Sequence, residues 1–486
     1  MEDFITYLND TILWSQPMVY ICLGIGLVFT VLTRLVQVRL FKDMIKLMFQ
    51  GKSSDAGVSS FQALAIALSG RVGTGNIAGT ATAIGFGGPG AVFWMWAIAF
   101  IGASTAFIES TLAQIYKVKQ GGEYRGGPAY YIEKGIGWRW FGVLFAFAAV
   151  LAMSVLMPGV QSNSIATGIE NAFGTNTSIT GAIIVVLLAI IIFGGVKRIA
   201  NVAQYVVPFM AIGYVLVSLI IVAVNITELP NVIKLIFQSA FALDSVFGGI
   251  VGMAVQWGVK RGIYSNEAGQ GTGAHPAAAA EVSHPAKQGL VQAFSVYIDT
   301  LLVCSATAFM ILFTGMYNTQ APDKTFLFNK LQGVEPGPAF TQAAVEQVIP
   351  GFGAGFVAVS LFFFAFTTIM AYYYIAETNV AYLINGRKNK WAIPLLKIII
   401  LGATFYGAVK NAGLVWKLGD TGLGIMVWLN LIAILILAKP ALKALKDYDA
   451  QKKRGLDPVF NSKKLGIKGA NFWEKDYQEP TTEKVS

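Results

Sequence analysis

The sequence predicts an all-α polytopic membrane protein of about eleven transmembrane helices, built on a core of five plus five helices in inverted orientation. Three observations carry this. Of the 486 residues, 55% are hydrophobic and only 13% charged, where soluble domains carry about 25% charged residues. Eleven apolar stretches are long enough, or nearly so, to cross a bilayer. Two of them are interrupted by glycine-rich polar runs and lie five spans apart. The same composition excludes a disordered chain, a collagen-like repeat and a disulfide-rich module. Both cysteines, Cys22 and Cys304, lie in apolar runs where an isolated thiol packs as a small hydrophobe.

A helix needs about 20 apolar residues to cross the hydrocarbon core. The stretches run approximately 17–38, 62–84, 90–116, 139–170, 179–194, 204–224, 247–279, 289–316, 353–385, 391–409 and 422–440. The fifth is short and the seventh is interrupted. The first follows Glu2, Asp3 and Asp10 with no Lys or Arg before it, so it reads as a retained helix and not as a cleaved signal.

Lys and Arg in short loops are retained on the cytoplasmic side. One set of loops holds Arg39, Lys42, Lys46, Lys52, Lys117, Lys119, Arg125, Lys134, Lys197, Arg198, Lys287, Arg387, Lys388 and Lys390. The alternate loops hold only Lys234, Lys324, Lys330, Lys410 and Lys417. Fourteen against five, with ten more between Lys443 and Lys484, puts the N-terminus outside and the C-terminus in the cytoplasm of a cell whose inner or plasma membrane holds the chain. The net charge of +10 then reflects topology and attraction to anionic headgroups, and no nucleic-acid partner is expected.

The expected division is an N-terminal helix and linker (1–61), a first repeat (62–224), an external connection (225–246), a second repeat (247–440) and a basic tail (441–486). Five crossings per unit require the second repeat to be inverted relative to the first. The interruptions fall at matching positions: Ser69-Gly70-Arg71-Val72-Gly73-Thr74-Gly75-Asn76 in the second span, and Trp257 through Gly271 in the seventh. Paired breaks of this kind point to a transporter's binding site. The alternative is that the glycines only allow close packing, as in Gly75-xxx-Gly79. Packing does not explain Arg71, Lys260, Arg261 and Glu267, because an intramembrane charge costs about 3 kcal/mol or more.

Two glycine strings, 73–78 and 85–90, imitate a dinucleotide fingerprint, but their flanks are membrane helices where that motif needs a strand and a βαβ unit. No Walker loop, His-Glu-x-x-His pair or Gly-x-Ser-x-Gly elbow is present. His275 and His284 read as solvated loop residues, since no acidic or cysteine cluster completes a metal site around them. An enzyme is not expected.

An unwound stretch in mid-membrane exposes backbone groups that an ion or substrate can satisfy. Where the second span restarts, the N–H groups of Thr74, Gly75 and Asn76 sit at the positive end of a helix dipole, which favours a carboxylate. Carbonyls near Ser69 and Val72 suit a monovalent cation. In the ninth span, Thr367 and Thr368 interrupt an apolar run; they either join that cation site or back-bond to their own helix. Tyr372, four residues after Thr368 and on the same face, either walls the pocket or packs in the core. In the fourth span Gln161 and Asn163 cannot both face lipid, so at least one faces a site or another helix.

These strings, from Arg71 through Gly79, Gly87 through Trp96, Tyr124-Arg125-Gly126-Gly127-Pro128-Ala129 and Ser265-Asn266-Glu267-Ala268-Gly269, resemble the prokaryotic alanine or glycine:cation symporter family over nearly the whole chain. The resemblance implies sodium-coupled uptake of alanine or glycine through a leucine-transporter-type core preceded by one extra helix. It implies a substrate site of Gly73, Thr74, Gly75 and Asn76 with Gln161 and Tyr372, and a sodium site of Ser69, Val72, Phe364, Thr367 and Thr368. The run Gly271-Thr272-Gly273-Ala274-His275-Pro276 departs from the family pattern, so no contact is carried over there. Arg71, Lys260, Arg261 and Glu267 read as gate or structural ion pairs. The alternatives are a proton-coupled carrier using Asp299 or Glu109, and more remotely a channel or intramembrane enzyme.

Overall fold

The computed structural model describes residues 2–51, 53–243, 246–384 and 391–477. Lys52, Arg387, Lys388, Lys390 and Lys484, which count toward the expected orientation, lie outside these described residues. The chain forms a helical bundle with two short hairpins at its periphery.

In chain order the helices that build the bundle begin with α1 (Gln16–Leu32), α2 (Ser60–Arg71), α3 (Thr80–Gly87) and α4 (Gly90–Ile115). The strands β1 (Val118–Gln120) and β2 (Glu123–Arg125) pair next as an antiparallel hairpin. Then come α5 (Arg139–Leu151), α6 (Pro158–Phe173), α7 (Thr177–Ile192), α8 (Gly195–Val224), α9 (Val251–Asn266), α10 (Ala274–Ala279), α11 (Pro285–Val296) and α12 (Ser305–Thr314). A second hairpin, β3 (Asn318–Gln320) with β4 (Phe326–Asn329), precedes α13 (Gly353–Ile384), α14 (Ala392–Val409), α15 (Ala412–Ile436) and α16 (Ala438–Lys453).

Among the described residues seven segments are long and apolar enough to cross a membrane, which makes this a multi-pass membrane protein. They are the expected third, fourth, sixth, eighth, ninth, tenth and eleventh spans. The other four are irregular for identifiable reasons. The first is bent by 41° before α1, the fifth (α7) has 16 residues, and the second and seventh are broken. The eleventh begins at Ala412, ten residues earlier than its apolar run suggested, because Asn411 caps it through Gly413 N–H and carries Asp420 into the bundle.

Start and stop signals account for the breaks. Ser59 and Gln62 form a capping box that starts α2. Helical turns resume only as a π segment, Gly75–Gly79, that leads into α3. In the seventh segment α9 runs unbroken through Trp257 to Asn266, so the interruption is shorter than expected. It begins at Glu267, held left-handed at φ 56°, and Gly269 and Gly271 follow at φ 86° and 84°. Such angles suit glycine and strain glutamate by about 1–2 kcal/mol.

Tight glycine contacts set the packing. A Cβ on Gly407 of α14 would fall 2.1 Å from Gly159 Cα of α6, and one on Gly258 of α9 would fall 2.5 Å from Ala91 O of α4. In lipid, where no hydrophobic effect drives helices together, this close approach supplies the dispersion contact. Leucine at Gly407 would force α6 and α14 apart. Asn163 adds polar glue between the same two helices, donating to Gly407 O at 3.1 Å and Lys410 O at 2.7 Å.

Candidate functional site

The break in the second span closes on itself more than its sequence suggested. Val72 N–H still donates to Leu68 O at 2.7 Å. Gly73 N–H donates to the Asn76 side-chain oxygen at 2.8 Å, and Asn76 N–H to Gly73 O at 3.2 Å. Thr74 N–H donates across the bundle to Gln161 Oε1 at 3.0 Å. The expectation of free N–H groups at Thr74 and Asn76 is therefore corrected: a side-chain amide and a backbone carbonyl occupy them, as buried donors require.

Gln161 is the hub of this cluster. Its amide nitrogen donates to Tyr372 Oη at 3.2 Å, so the fourth and ninth spans meet at the break. Tyr372 thus faces the break, and of the two amides in α6 it is Gln161 that does so, while Asn163 serves α14. The space is small. A Cβ on Gly73 would fall 2.4 Å from Thr368 Oγ1 and 3.1 Å from Gln161 Oε1, and one on Gly75 would meet Ser265 Cα and Tyr264 Cδ1 at 3.1 Å. The Thr74 hydroxyl is buried with no hydrogen-bond partner among the described residues.

Thr368 joins the ninth span to the broken one. Its hydroxyl donates to Ser69 O at 2.9 Å and lies 3.0 Å from Phe364 O, so three oxygens converge. Among the described residues Thr367 reaches only its own helix, 3.0 Å from both Phe363 O and Phe364 O. The side chain of Val72 borders an apolar cavity of about 470 Å³ that Pro208 and Leu302 share.

The Asn76 amide nitrogen points away from this cluster. It donates to Asp299 Oδ1 at 2.6 Å and lies 3.3 Å from Cys304 Sγ. Asp299 also accepts from Ser265 Oγ at 3.0 Å and from Thr300 Oγ1 at 2.7 Å. One carboxylate therefore ties the first break and the end of α9 to the eighth span. Cys304, expected as a plain hydrophobe, sits among these polar groups, 3.2 Å from Ser265 Oγ. Asp299 follows Tyr297, the start of a π segment, Tyr297–Cys304, whose extra turn residue turns polar side chains inward in an apolar run.

The buried charges have partners that sequence reasoning did not supply. Asp420 of α15 lies 2.7 Å from Lys260 Nζ and 2.9 Å from Arg261 Nη1. The Arg261 guanidinium stacks 4.4 Å from the Trp416 ring centre. These groups line a cavity of about 1020 Å³ with Asp10, Trp257 and Trp416. Asp420 was missed because it precedes the apolar run of the eleventh span; the adjacent Gly419 and Thr421 were the available signal. Glu109 accepts from Gly271 N–H at 3.1 Å and from Asn430 at 2.8 Å, capping the second break from α4. Glu267 accepts from Thr272 Oγ1 at 2.8 Å. Arg71 donates to Gln292 O at 3.1 Å and to the Ser295 hydroxyl, with Glu267, Glu109 and Asp299 as the acidic groups acting on it.

The two histidines are not solvated. Both are fully buried: His275 lies 2.9 Å from the Asn379 amide, and His284 accepts from Ala286 N–H at 3.1 Å as the cap of α11. Chain turns that the sequence leaves polar are here covered by α13 and by the C-terminal segment. Among the described residues no group of three His, Cys, Asp or Glu is placed to hold a metal.

Comparison with known proteins gives the family. The profile of the sodium:alanine symporter family matches residues 1–462. The chain is 74% identical over 486 residues to a putative sodium/proton-dependent alanine carrier protein of Bacillus subtilis (strain 168), covering all of both chains. It is 59% identical over 438 residues to the sodium/proton-dependent alanine carrier protein of Bacillus sp. (strain PS3), covering 90% of this chain and 98% of that one. It is 45% identical over 462 residues to a probable sodium/glutamine symporter of Bacillus subtilis, covering 95% and 93%. With two broken spans packed against each other and a family match spanning nearly its whole length, this chain belongs to the sodium:alanine symporter family.

Proposed function

We infer that this chain is a secondary symporter that couples inward movement of sodium to uptake of alanine, and of glycine, by alternating access. The observation that carries it is the meeting of a broken helix, a converging oxygen set and a carbonyl-capped N–H in one small buried space. The substrate carboxylate would take the Thr74 and Gly75 N–H groups, displacing the Gln161 carbonyl, and the unpartnered Thr74 hydroxyl would serve the ligand. Gly73 lets the ligand touch the backbone, Asn76 holds the break in shape, and Tyr372 walls it. Sodium is cargo here. Ser69 O, Phe364 O and the Thr368 hydroxyl are hard neutral oxygens of the kind it takes, with Val72 O and Thr367 completing the set.

Around this site we read eleven crossings, with residues 62–224 and 247–440 as inverted repeats of a leucine-transporter-like core. The unit 1–61 is an added helix and linker, 225–246 an external connection and 441–486 a cytoplasmic tail. The N-terminus is outside, so the 1020 Å³ cavity with Lys260, Arg261 and Asp420 is the external vestibule and its ion pairs the outer gate. The chain does no covalent chemistry. Alanine is preferred to glutamine in this reading because identity to the two alanine carriers is higher and the site leaves little volume.

Proton coupling is the second reading, favoured by the buried Asp299 carboxylate beside Asn76 and by the sodium/proton wording in both carriers' names. Alanine binding to purified protein, measured in sodium and in choline chloride at two pH values, tests both. Binding that needs sodium at either pH supports the first; binding indifferent to sodium but shifted by pH supports the second.

A further inference from the structure

Beyond α16 the chain folds back onto the protein. Phe460 N–H donates to Ser283 O at 2.9 Å, Ser283 Oγ donates to Pro458 O at 2.8 Å, and Lys287 Nζ lies 2.6 Å from Asp457. His284 is flanked by the Tyr448 and Phe460 rings at 5.6 and 5.5 Å. The turn leading from α10 to α11 is thus gripped from outside by tail residues.

A second grip acts on α10 itself. Gln114, at the end of α4, donates to Ala280 O at 2.9 Å and also reaches Ala277 O. Lys117, three residues on, donates to Ala280 O at 2.9 Å. Lys117 is fully buried and, among the described residues, has no carboxylate within ion-pair distance. Three rings face it, Tyr124, Phe472 and Trp473 at 4.3, 4.6 and 5.4 Å from Nζ, and Glu281 is the acidic group acting on it from further away. Trp473 Nε1 donates to Gln114 O at 2.8 Å. Two of the three rings, and the hydrogen bond behind Gln114, therefore come from the tail.

We propose that residues 456–477 form a latch that holds α10, the second half of the broken seventh span, against α4. The half-helix cannot leave α4 while Gln114 and Lys117 hold its last carbonyls, and those two side chains stay buried only while Phe472 and Trp473 cover them. The part of this proposal that concerns opening rests on the reading of the chain as an alternating-access carrier, in which this end is the cytoplasmic one.

Hydrogen exchange of the full chain in nanodiscs, without sodium or alanine, tests the latch. In Phe472→Ala/Trp473→Ala the amides of 274–285 are expected to exchange at least tenfold faster than in the parent, with the β3–β4 hairpin unchanged. Faster exchange of 470–477 alone, with 274–285 unmoved, would overturn the latch. If every peptide accelerates, Trp473→Phe decides: it keeps a ring and loses only the bond to Gln114 O, and 274–285 should still exchange faster, whereas parental rates there refute the proposal. The readout needs no transport, so a parent that fails to take up alanine would sink the carrier reading and leave the latch standing.

Discussion

Replacing Thr368 with alanine separates cation coupling from substrate binding. The hydroxyl lies 2.9 Å from Ser69 O and 3.0 Å from Phe364 O, so it bridges the broken second span and α13. A sodium held there loses one of roughly five oxygen ligands. At about 1.4 kcal/mol per decade, a tenfold or greater rise in the sodium concentration for half-maximal alanine uptake is expected. The lost interhelix hydrogen bond adds about 1 kcal/mol of destabilisation, which sodium does not restore. High sodium should therefore recover most of the rate by refilling the weakened site. Thr368→Ser keeps the oxygen and should be mild. Thr367→Ala should shift the sodium titration less, because that hydroxyl reaches only carbonyls of its own helix. A Thr368→Ala variant with unchanged half-saturation and a lower maximal rate would make the hydroxyl a packing group and refute the assignment.

Gln161→Ala should raise the alanine KM at least tenfold with a smaller change in sodium dependence, since it frees Tyr372, which walls the site, and removes the amide facing the ligand, a loss that outweighs removing a competitor for Thr74 N–H; Asn163→Ala should lower thermal stability without that KM shift. Gly73→Ala should abolish uptake with normal membrane expression, because its Cβ would fall 2.4 Å from Thr368 Oγ1. Asp420→Asn leaves Lys260 and Arg261 buried without their carboxylate, a loss of about 3–5 kcal/mol, and a lowered melting temperature in detergent should report it. Burial pulls the Lys117 ammonium from 10.5 down to about 7, with Glu281 opposing and the Tyr124 hydroxyl nearby. A released tail would raise it toward the ordinary value, so above pH 7 the released state binds more protons and rising pH favours the docked tail. Protease cleavage of the tail should slow by an order of magnitude or more from pH 7 to 9, and a cleavage rate that rises would contradict the sign.

Much of the bundle was legible because apolar run length is a direct physical requirement of the bilayer, and the run at 353–385 became the helix Gly353–Ile384 almost residue for residue. The breaks were legible too, since charge beside glycine in mid-span is too costly in lipid to persist unless the helix is interrupted there and the charge is paired inside the bundle. What could not be read was which group meets which. Gln161 and Thr74 are 87 residues apart, and nothing local says that one amide caps the other. Asp420 fell outside the apolar run 422–440 because hydropathy is low over the first turns of its helix, Ala412–Ile436, and the histidines looked solvated because proline-flanked turns usually are. His275 is buried against α13, and His284 is covered by the C-terminal segment, which packs through single aromatic residues such as Phe460 and Trp473.

The most direct test of the account is accumulation of labelled alanine in proteoliposomes under one gradient at a time. With an inward sodium gradient, equal pH and no membrane potential, alanine should rise inside above its external concentration. With sodium equal on both sides and an inward proton gradient, it should only equilibrate. Accumulation driven by protons alone, with no response to the sodium gradient, would contradict sodium coupling and move the coupling ion from the Thr368 oxygens to Asp299.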